Sequence, residues 1–335
     1  MSLPDSLPSV MKVINVEEPG KHSRLYFTDR PLPVPAYGQL LIRVEAAGIN
    51  RADLMQRRGL YPPPAGESDI PGLEVAGTVV AAADNEQHWL GQKVFGLVGG
   101  GGYAEYALLQ ANHAMHLPAG WSMVEGAATA EVFLTAFQLL FAIGQLQAGQ
   151  KVLIHAGASG VGTAAIQLAR YAGAEVAVTV SSDEKAQACL ALGANLAINY
   201  RSQDFAEQIS QHWPQGINVV LDPVAGSYLA KEIPLLAMDG IIAVFAMMGG
   251  SKMEQIDLAP LFKRRGQLIC STLRNRSTQY KAELVQAFEK QFAGALASGR
   301  LKPVIHQVFD WQQAEQAHQL MASNQTMGKL ILTLN

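Results

Sequence analysis

The chain has 335 residues, 49% hydrophobic and 16% charged, with 25 basic against 28 acidic side chains and a net charge of −3. That length accommodates two domains, each with its own core, and the composition excludes a disordered or fibrous protein. The near-balanced charge excludes a broad electrostatic footprint for nucleic acid or for an anionic membrane surface.

Residues 1–10 contain Pro4, Asp5 and Pro8 and lack the basic start and apolar run of a signal peptide, so they are expected to form a flexible extension. No apolar run approaches the roughly 18 residues that suggest a membrane span. Cys189 and Cys270 lie in apolar surroundings and are expected to be buried free thiols of a cytoplasmic protein.

From Lys12 to Val80, short β-rich runs are broken by proline and glycine, which predicts a small β domain with long functional loops. Asn50 to Gly59 reads as a short helix with Asn50 at its cap and Gly59 at its end, followed by the Tyr61-Pro62-Pro63-Pro64 loop. Gly99 to Gly102 leads into a strand rather than a helix and is expected to be a mobile turn. Glu125 to Ile143 is helical, with Phe133, Leu134, Phe137 and Leu140 on a buried face.

The segment Val152 to Gly162 then runs from an apolar strand into Gly157-Ala158-Ser159-Gly160-Val161-Gly162. A helical pattern leaves it, and the strand Glu175–Val180 follows. That order is the unit that cradles a dinucleotide pyrophosphate on a helix N-terminus. Read as G-x-G-x-x-G, Gly157 and Gly162 fit, whereas Ser159 stands at the middle position beside Gly160. Strands and helices continue to alternate, with a helix over Leu229–Leu236 and a strand over Ile241–Ala246, which argues for a doubly wound parallel sheet. The tail gives a long helix, a β run at Val304–Phe309, another helix and a last strand, Lys329–Leu334, and it is expected to return to the opening domain.

Asn50-Arg51-Ala52-Asp53-Leu54-Met55-Gln56-Arg57 with Tyr61, Leu134 to Leu140, Val152 to Leu168, Met248-Gly249-Gly250 and Leu273-Arg274 together carry a family resemblance. They resemble the medium-chain dehydrogenase/reductase superfamily. Within it the match is to the zinc-free quinone oxidoreductases related to ζ-crystallin, nearest the tumour-suppressor-inducible subgroup. The resemblance implies an α/β protein with a GroES-like, mainly β catalytic domain from residues 11–132 and 277–335. Residues 133–276 would form a Rossmann domain, with cofactor and substrate held in the cleft between the two.

Zinc-binding relatives place a cysteine where this chain resembles them but has Asn50. Where they have Gly-His-Glu it reads Gly72-Leu73-Glu74, and their four-cysteine lobe is absent. A catalytic zinc needs about three Cys, His or carboxylate ligands, and His113 and His116 lack such company, so no metal is expected. Without zinc, a substrate carbonyl must be polarised by hydrogen-bond donors. Tyr61, with its ordinary pKa of about 10, is the candidate donor, although packing on the prolines that follow would equally explain it. Asn50 is a second candidate, positioning nicotinamide ribose or substrate.

Cofactor choice falls after Val180, where NAD sites place an acid and NADP sites offer polar and basic groups. Ser181 and Lys185 suit a 2′-phosphate, and Tyr200 resembles the family tyrosine that also reaches it. Asp183 and Glu184 depart from the more basic subgroup pattern, but they suit the first turn of a helix capped by Ser182. NADPH is the expected cofactor. The resemblance also assigns Thr135, Phe245, Met248, Gly249 and Leu273 to the nicotinamide and ribose pocket, whereas His155 reads as a packed or hydrogen-bonded histidine.

The resulting expectation is an NADPH-dependent quinone oxidoreductase acting on a small-molecule acceptor, with no membrane or nucleic-acid partner. The alternatives are a 2-alkenal or enone reductase, and a low-turnover NADPH-binding sensor or RNA-binding protein. By family analogy a homodimer would form through the strand Ile241–Ala246, taken as the sheet edge.

Overall fold

The computed structural model describes residues 7–253 and 255–334. The chain forms two compact units, residues 1–134 with 274–335, and residues 135–273.

The first unit opens with an antiparallel hairpin, β1 (Val10–Glu17) and β2 (Arg24–Pro31). Part of the expected extension, residues 1–6, lies outside the described residues. The rest is more ordered than expected: Val10 pairs with Pro31, and the Leu32 N–H donates to the Ser9 carbonyl at 3.0 Å. The unit continues with β3 (Gln39–Ile49), α1 (Arg51–Arg57), β4 (Glu74–Ala82), β5 (Lys93–Leu97), β6 (Tyr106–Gln110) and β7 (Ala114–His116). Helices α2 (Met123–Ala127) and α3 (Ala130–Phe137) follow. The predicted single helix is therefore broken near Ala128, and a π-helical turn replaces its end over Gln138–Ile143.

In the second unit every strand is parallel. They are β8 (Lys151–Ile154), β9 (Glu175–Val180), β10 (Leu196–Asn199), β11 (Ile217–Asp222), β12 (Leu236–Val244) and β13 (Gln267–Cys270). The helices between them are α4 (Gly160–Tyr171), α5 (Asp183–Ala191), α6 (Phe205–His212), α7 (Tyr228–Glu232) and α8 (Ala259–Lys263). The spatial order is β10-β9-β8-β11-β12-β13, the 3-2-1-4-5-6 arrangement of a dinucleotide-binding sheet. Central strands covered on both faces must be apolar throughout, and Leu153, Val220 and Ile242 are fully buried.

Three expectations are corrected here. The helix predicted over Leu229–Leu236 ends at Glu232, because Pro234 sits in a 3₁₀ turn, and β12 starts at Leu236. The strand Ile241–Ala246 is not the sheet edge: β13 pairs with β12 in the register Ile241↔Gln267 and takes the edge itself. Cys270 ends that edge strand and is exposed, whereas Cys189 is buried; both are free thiols.

The chain then completes the first unit with α9 (Thr278–Ala297), β14 (Ile305–Asp310), α10 (Ala314–Ala322) and β15 (Lys329–Thr333). β15 lies antiparallel to β3, Leu330 opposite Ile49, and parallel to β14. Bulges after Leu41 and Val44 bend β3, which pairs with β4, β6 and β15 along its length. No helix of the described residues is long and apolar enough to cross a membrane.

Candidate active site

In the second unit, β8 ends in a turn whose shape leaves no room for side chains. Ala156 adopts a positive φ of 53°. A Cβ on Gly157 would lie 2.6 Å from Val178, and one on Gly162 would lie 2.5 Å from the Ala156 and Gly157 carbonyl oxygens. Ser159 is the N-cap of α4, its Oγ accepting the Gly162 N–H at 3.0 Å. That leaves the hydroxyl proton free to donate, and the Gly160 and Val161 amides stand at the helix start, where no intrahelical acceptor exists. An anion-binding cradle results, and it lies beside the gap between β8 and β11 where the strand order reverses. These residues fit a dinucleotide pyrophosphate.

The turn after β9 carries the second set of groups. Ser182 caps α5 by accepting the Lys185 N–H, and Tyr200 follows β10 with its side chain 44% exposed. The Asp183 carboxylate, which weighed against a 2′-phosphate, is engaged by Asn199 Nδ2 at 2.8 Å. Burial lowers the Lys185 pKa, and the charge of Arg201 lowers it further. Arg201 was not singled out in the sequence; its signal was its place directly after Tyr200. Farther along the sheet, Phe245, Met248 and Gly249 follow β12, where the Met248 and Gly249 amides donate to Pro223 and Val224. Thr135 and Leu273 are buried in the same unit.

Asn50 and Tyr61 belong to the first unit, as does a buried polar cluster that sequence reasoning missed. Lys329, the first residue of β15, donates from Nζ to the Ile49 carbonyl and Asn50 Oδ1, both at 2.7 Å, and pairs with Glu74 Oε1 at 2.6 Å. Asn50 Nδ2 donates to the same Glu74 oxygen at 2.9 Å. The Asn50 side chain is thus committed to this cluster, while its backbone N–H donates to Asp53 Oδ2 at 2.7 Å and starts α1. Gly48 admits Glu74, because a Cβ there would meet its carboxylate.

Asp53 also accepts the Gly72 N–H at 3.0 Å and the Tyr103 hydroxyl at 3.2 Å. Burial outweighs these bonds and raises its pKa to about 6. Tyr103 lies 2.9 Å from His318 Nε2, and Arg57 faces Nδ1 at 3.5 Å. An arginine only donates, so Nδ1 accepts, Nε2 carries the proton, and the ring is neutral. Burial, helped by Arg57, lowers the His318 pKa to about 3.

Tyr61 lies half-buried in its loop. Arg274 NH1 donates to its carbonyl at 3.3 Å, and the guanidinium carbon lies 5.5 Å from the ring centre. Arg274 is held in turn by the Gly99 carbonyl, at 3.0 and 2.9 Å. Burial, then the charge of Glu131, raises the Tyr61 pKa, while Arg274 lowers it; the phenol stays protonated at neutral pH. No group of three His, Cys, Asp or Glu able to hold a metal occurs among the described residues. At the Asn50–Glu74 position a buried ammonium is already paired with the carboxylate, a donor set that does not fit zinc.

Residues 36–119 match the alcohol dehydrogenase GroES-like domain, and residues 160–290 match the zinc-binding dehydrogenase model. A human protein named quinone oxidoreductase is 30% identical over 331 residues, covering 97% of this chain and 98% of its own length. The chain belongs to the medium-chain dehydrogenase/reductase superfamily. A human synaptic vesicle membrane protein VAT-1 homolog is another relative, 30% identical over 93% of this chain and 84% of its own length. Among solved structures, a mycobacterial protein complexed with NADPH superposes with a TM-score of 0.85 at 27% identity, covering 97% of this chain and 100% of that one. Within the superfamily fold, the Rossmann sheet carries the glycine cradle, and the GroES-like unit carries Tyr61 and the lysine-centred cluster.

Two outcomes follow from this superfamily member's buried charges. Removing one partner of a buried ion pair strands the other, so Lys329→Met is expected to lower stability by about 3–5 kcal/mol in urea denaturation. A loss below about 1 kcal/mol would show that Glu74 finds another partner. Between pH 6.5 and about 3 the unfolded chain protonates His318 while the native state does not, so this group's stabilisation is lost as pH falls. Asp53 acts with the opposite sign between about 6 and 3.8, because its native form binds the proton more tightly. Replacing His318 with Gln should therefore remove about 2 kcal/mol of the stability difference between pH 7 and pH 5. An unchanged difference would refute a neutral native His318.

Proposed function

We propose that this protein is an NADPH-dependent, zinc-independent oxidoreductase that reduces a quinone. The observation that carries the reading is Tyr61: a protonated, half-buried phenol flanked by Arg274, in a site where Lys329 rather than a metal neutralises Glu74. Dihydronicotinamide, when bound, supplies a hydride. The protein's share is to bind the cofactor and to stabilise negative charge as it develops on the acceptor oxygen. Gly157, Ser159, Gly160, Val161 and Gly162 cradle the pyrophosphate. Ser181, Lys185, Tyr200 and Arg201 take the 2′-phosphate, and the tie between Asp183 and Asn199 favours NADPH over NADH. Thr135, Phe245, Met248, Gly249 and Leu273 line the nicotinamide side, and Tyr61 donates to the acceptor oxygen. Asn50, 9% exposed and anchored by Lys329, contributes by position. The quinone oxidoreductase name of the human relative and the NADPH in the mycobacterial neighbour support this reading.

We also infer a homodimer built on the open edge of β13, next to exposed Leu268 on that strand, Phe262 on α8 and Leu258 just before α8.

Stopped-flow loss of nicotinamide absorbance is expected to accelerate with quinones, and faster reduction of enones than of any quinone would transfer the assignment to enone reduction. The double variant Lys185→Ala/Arg201→Ala should weaken NADPH about 10–100-fold, the loss of charge-assisted bonds, and leave NADH affinity unchanged. Equal weakening of both would remove the 2′-phosphate assignment. Sedimentation of the wild type should give a dimer that Phe262→Asp shifts toward monomer; a wild-type monomer at all concentrations would contradict the interface.

A further inference from the structure

The first unit holds a cavity of about 490 Å³ that the cofactor reading leaves unused. Its walls are the loop 64–70, the glycine run from Gly99, β6, and the segment leading into α9. The Gly99–Gly102 run, expected to be a mobile turn, is tied into that wall. The Gly101 N–H donates to the Ile70 carbonyl at 2.7 Å, and the Gly102 N–H to the Gly72 carbonyl at 3.1 Å. Gly99 has no room for a Cβ, because the Glu67 carboxylate lies against it.

Two cations line the cavity from buried positions, Arg274 at 6% and Lys281 at 8% exposure. Their partners are all carbonyl oxygens. Arg274 gives Nε and NH2 to Gly99 and NH1 to Tyr61, while Lys281 Nζ donates to the Arg274 carbonyl at 2.7 Å. Neither side chain forms an ion pair among the described residues. A guanidinium and an ammonium both have more N–H groups than these bonds use, so each keeps donors over. The rest of the lining does not balance them. Arg30 is paired with Asp69 at 3.2 Å. His113 donates from Nε2 to the Thr278 carbonyl at 3.0 Å, and burial holds its pKa below the ordinary value, so it is neutral at pH 7. Arg276, stacked on Tyr280 at 4.6 Å, adds positive charge from an exposed position. Only Glu67 opposes these cations; its charge acts on Arg274 and Lys281 but it pairs with neither. Buried cations without a counter-charge are costly, and the cavity is short of negative charge.

We propose that this cavity binds a small organic acid, its carboxylate held by the spare donors of Arg274 and Lys281. Glu67 offsets part of their charge, so a single negative charge completes the balance. The volume is that of a small-molecule pocket rather than of a bare inorganic ion. Met11, Pro33, Leu97 and Leu108 also line it and suit an apolar body behind the carboxylate. The site is separate from the pyrophosphate cradle, which belongs to the other unit, and it adjoins Tyr61 through Arg274.

Ligand-observed NMR titration of the full chain with benzoate, benzamide and inorganic phosphate tests this without cofactor, so the result is independent of the quinone assignment. Benzoate is expected to saturate with a Kd of about 1 mM or tighter, and uncharged benzamide to bind at least about 10-fold more weakly. Lys281→Met should weaken benzoate about 10-fold, whereas Lys281→Arg, which keeps the charge, should stay within about 3-fold of wild type. Glu67→Gln should tighten benzoate about 3-fold by removing the opposing charge, a gain that damage to the fold would not produce. No saturable benzoate binding, equal binding of benzamide, or binding of phosphate alone overturns the proposal. So does a Lys281→Met variant with unchanged affinity. Should Lys281→Met not fold, Glu67→Gln decides, and unchanged affinity there overturns the proposal as well.

Discussion

The Lys329 ammonium is gripped by oxygens from three consecutive parts of the first unit: the Ile49 carbonyl ending β3, the Asn50 amide before α1, and the Glu74 carboxylate starting β4. A buried ammonium costs several kcal/mol in lost hydration unless its partners are in place, so these contacts form together or not at all. The residue that closes the cluster is 279 positions from Asn50 in the chain. The cluster thereby ties β15 to the end of β3 and the start of α1. Glu74 then passes the constraint on by accepting the Glu131 N–H, and Asp53 passes it to the Gly72 amide and Tyr103.

The same ammonium leaves this cluster without a donor set that suits a metal ion. A zinc ion would meet a cation already paired with Glu74, and Leu73 offers no ligand atom. Positive charge is supplied covalently, by a side chain buried behind Asn50, and it serves to neutralise Glu74. Tyr61 and Arg274, in contact with each other, lie outside that cluster. A phenol beside a guanidinium remains a donor over a wide pH range, because burial and the Glu131 charge both disfavour its anion.

Much of this was legible in the residues, and the remainder follows a physical pattern. The glycine turn, the capping serines and the alternation of strands and helices are local signals, set by φ, by the helix dipole and by side-chain period, and the sheet order agrees with them. β13 was missed because its apolar run, Leu268-Ile269-Cys270, is too short to mark a strand, and at the sheet edge three of the four residues of Gln267–Cys270 are exposed. For the same reason Cys270 was wrongly expected to be buried. Lys329 read as an ordinary polar start to a strand, since a sequence does not reveal that a lysine points inward until its partners are known.

His155 shows how one buried side chain braces two strand ends. Its ring is fully buried, with Nδ1 2.8 Å from Thr179 Oγ1 and Nε2 2.9 Å from Glu232 Oε1, and it packs edge-on against Phe205 and Tyr228. Burial raises the Glu232 pKa and the nearby histidine lowers it. The carbonyl of Thr179 accepts the Gly157 N–H, so the end of β9 and the first glycine of the turn are fixed to one another. Two residues beyond Thr179 stands Ser181, in the turn between β9 and α5. The glycine turn and the end of β9 are thus braced by one buried polar network. Glycines give the turn its path, and His155 holds that path in register with β9.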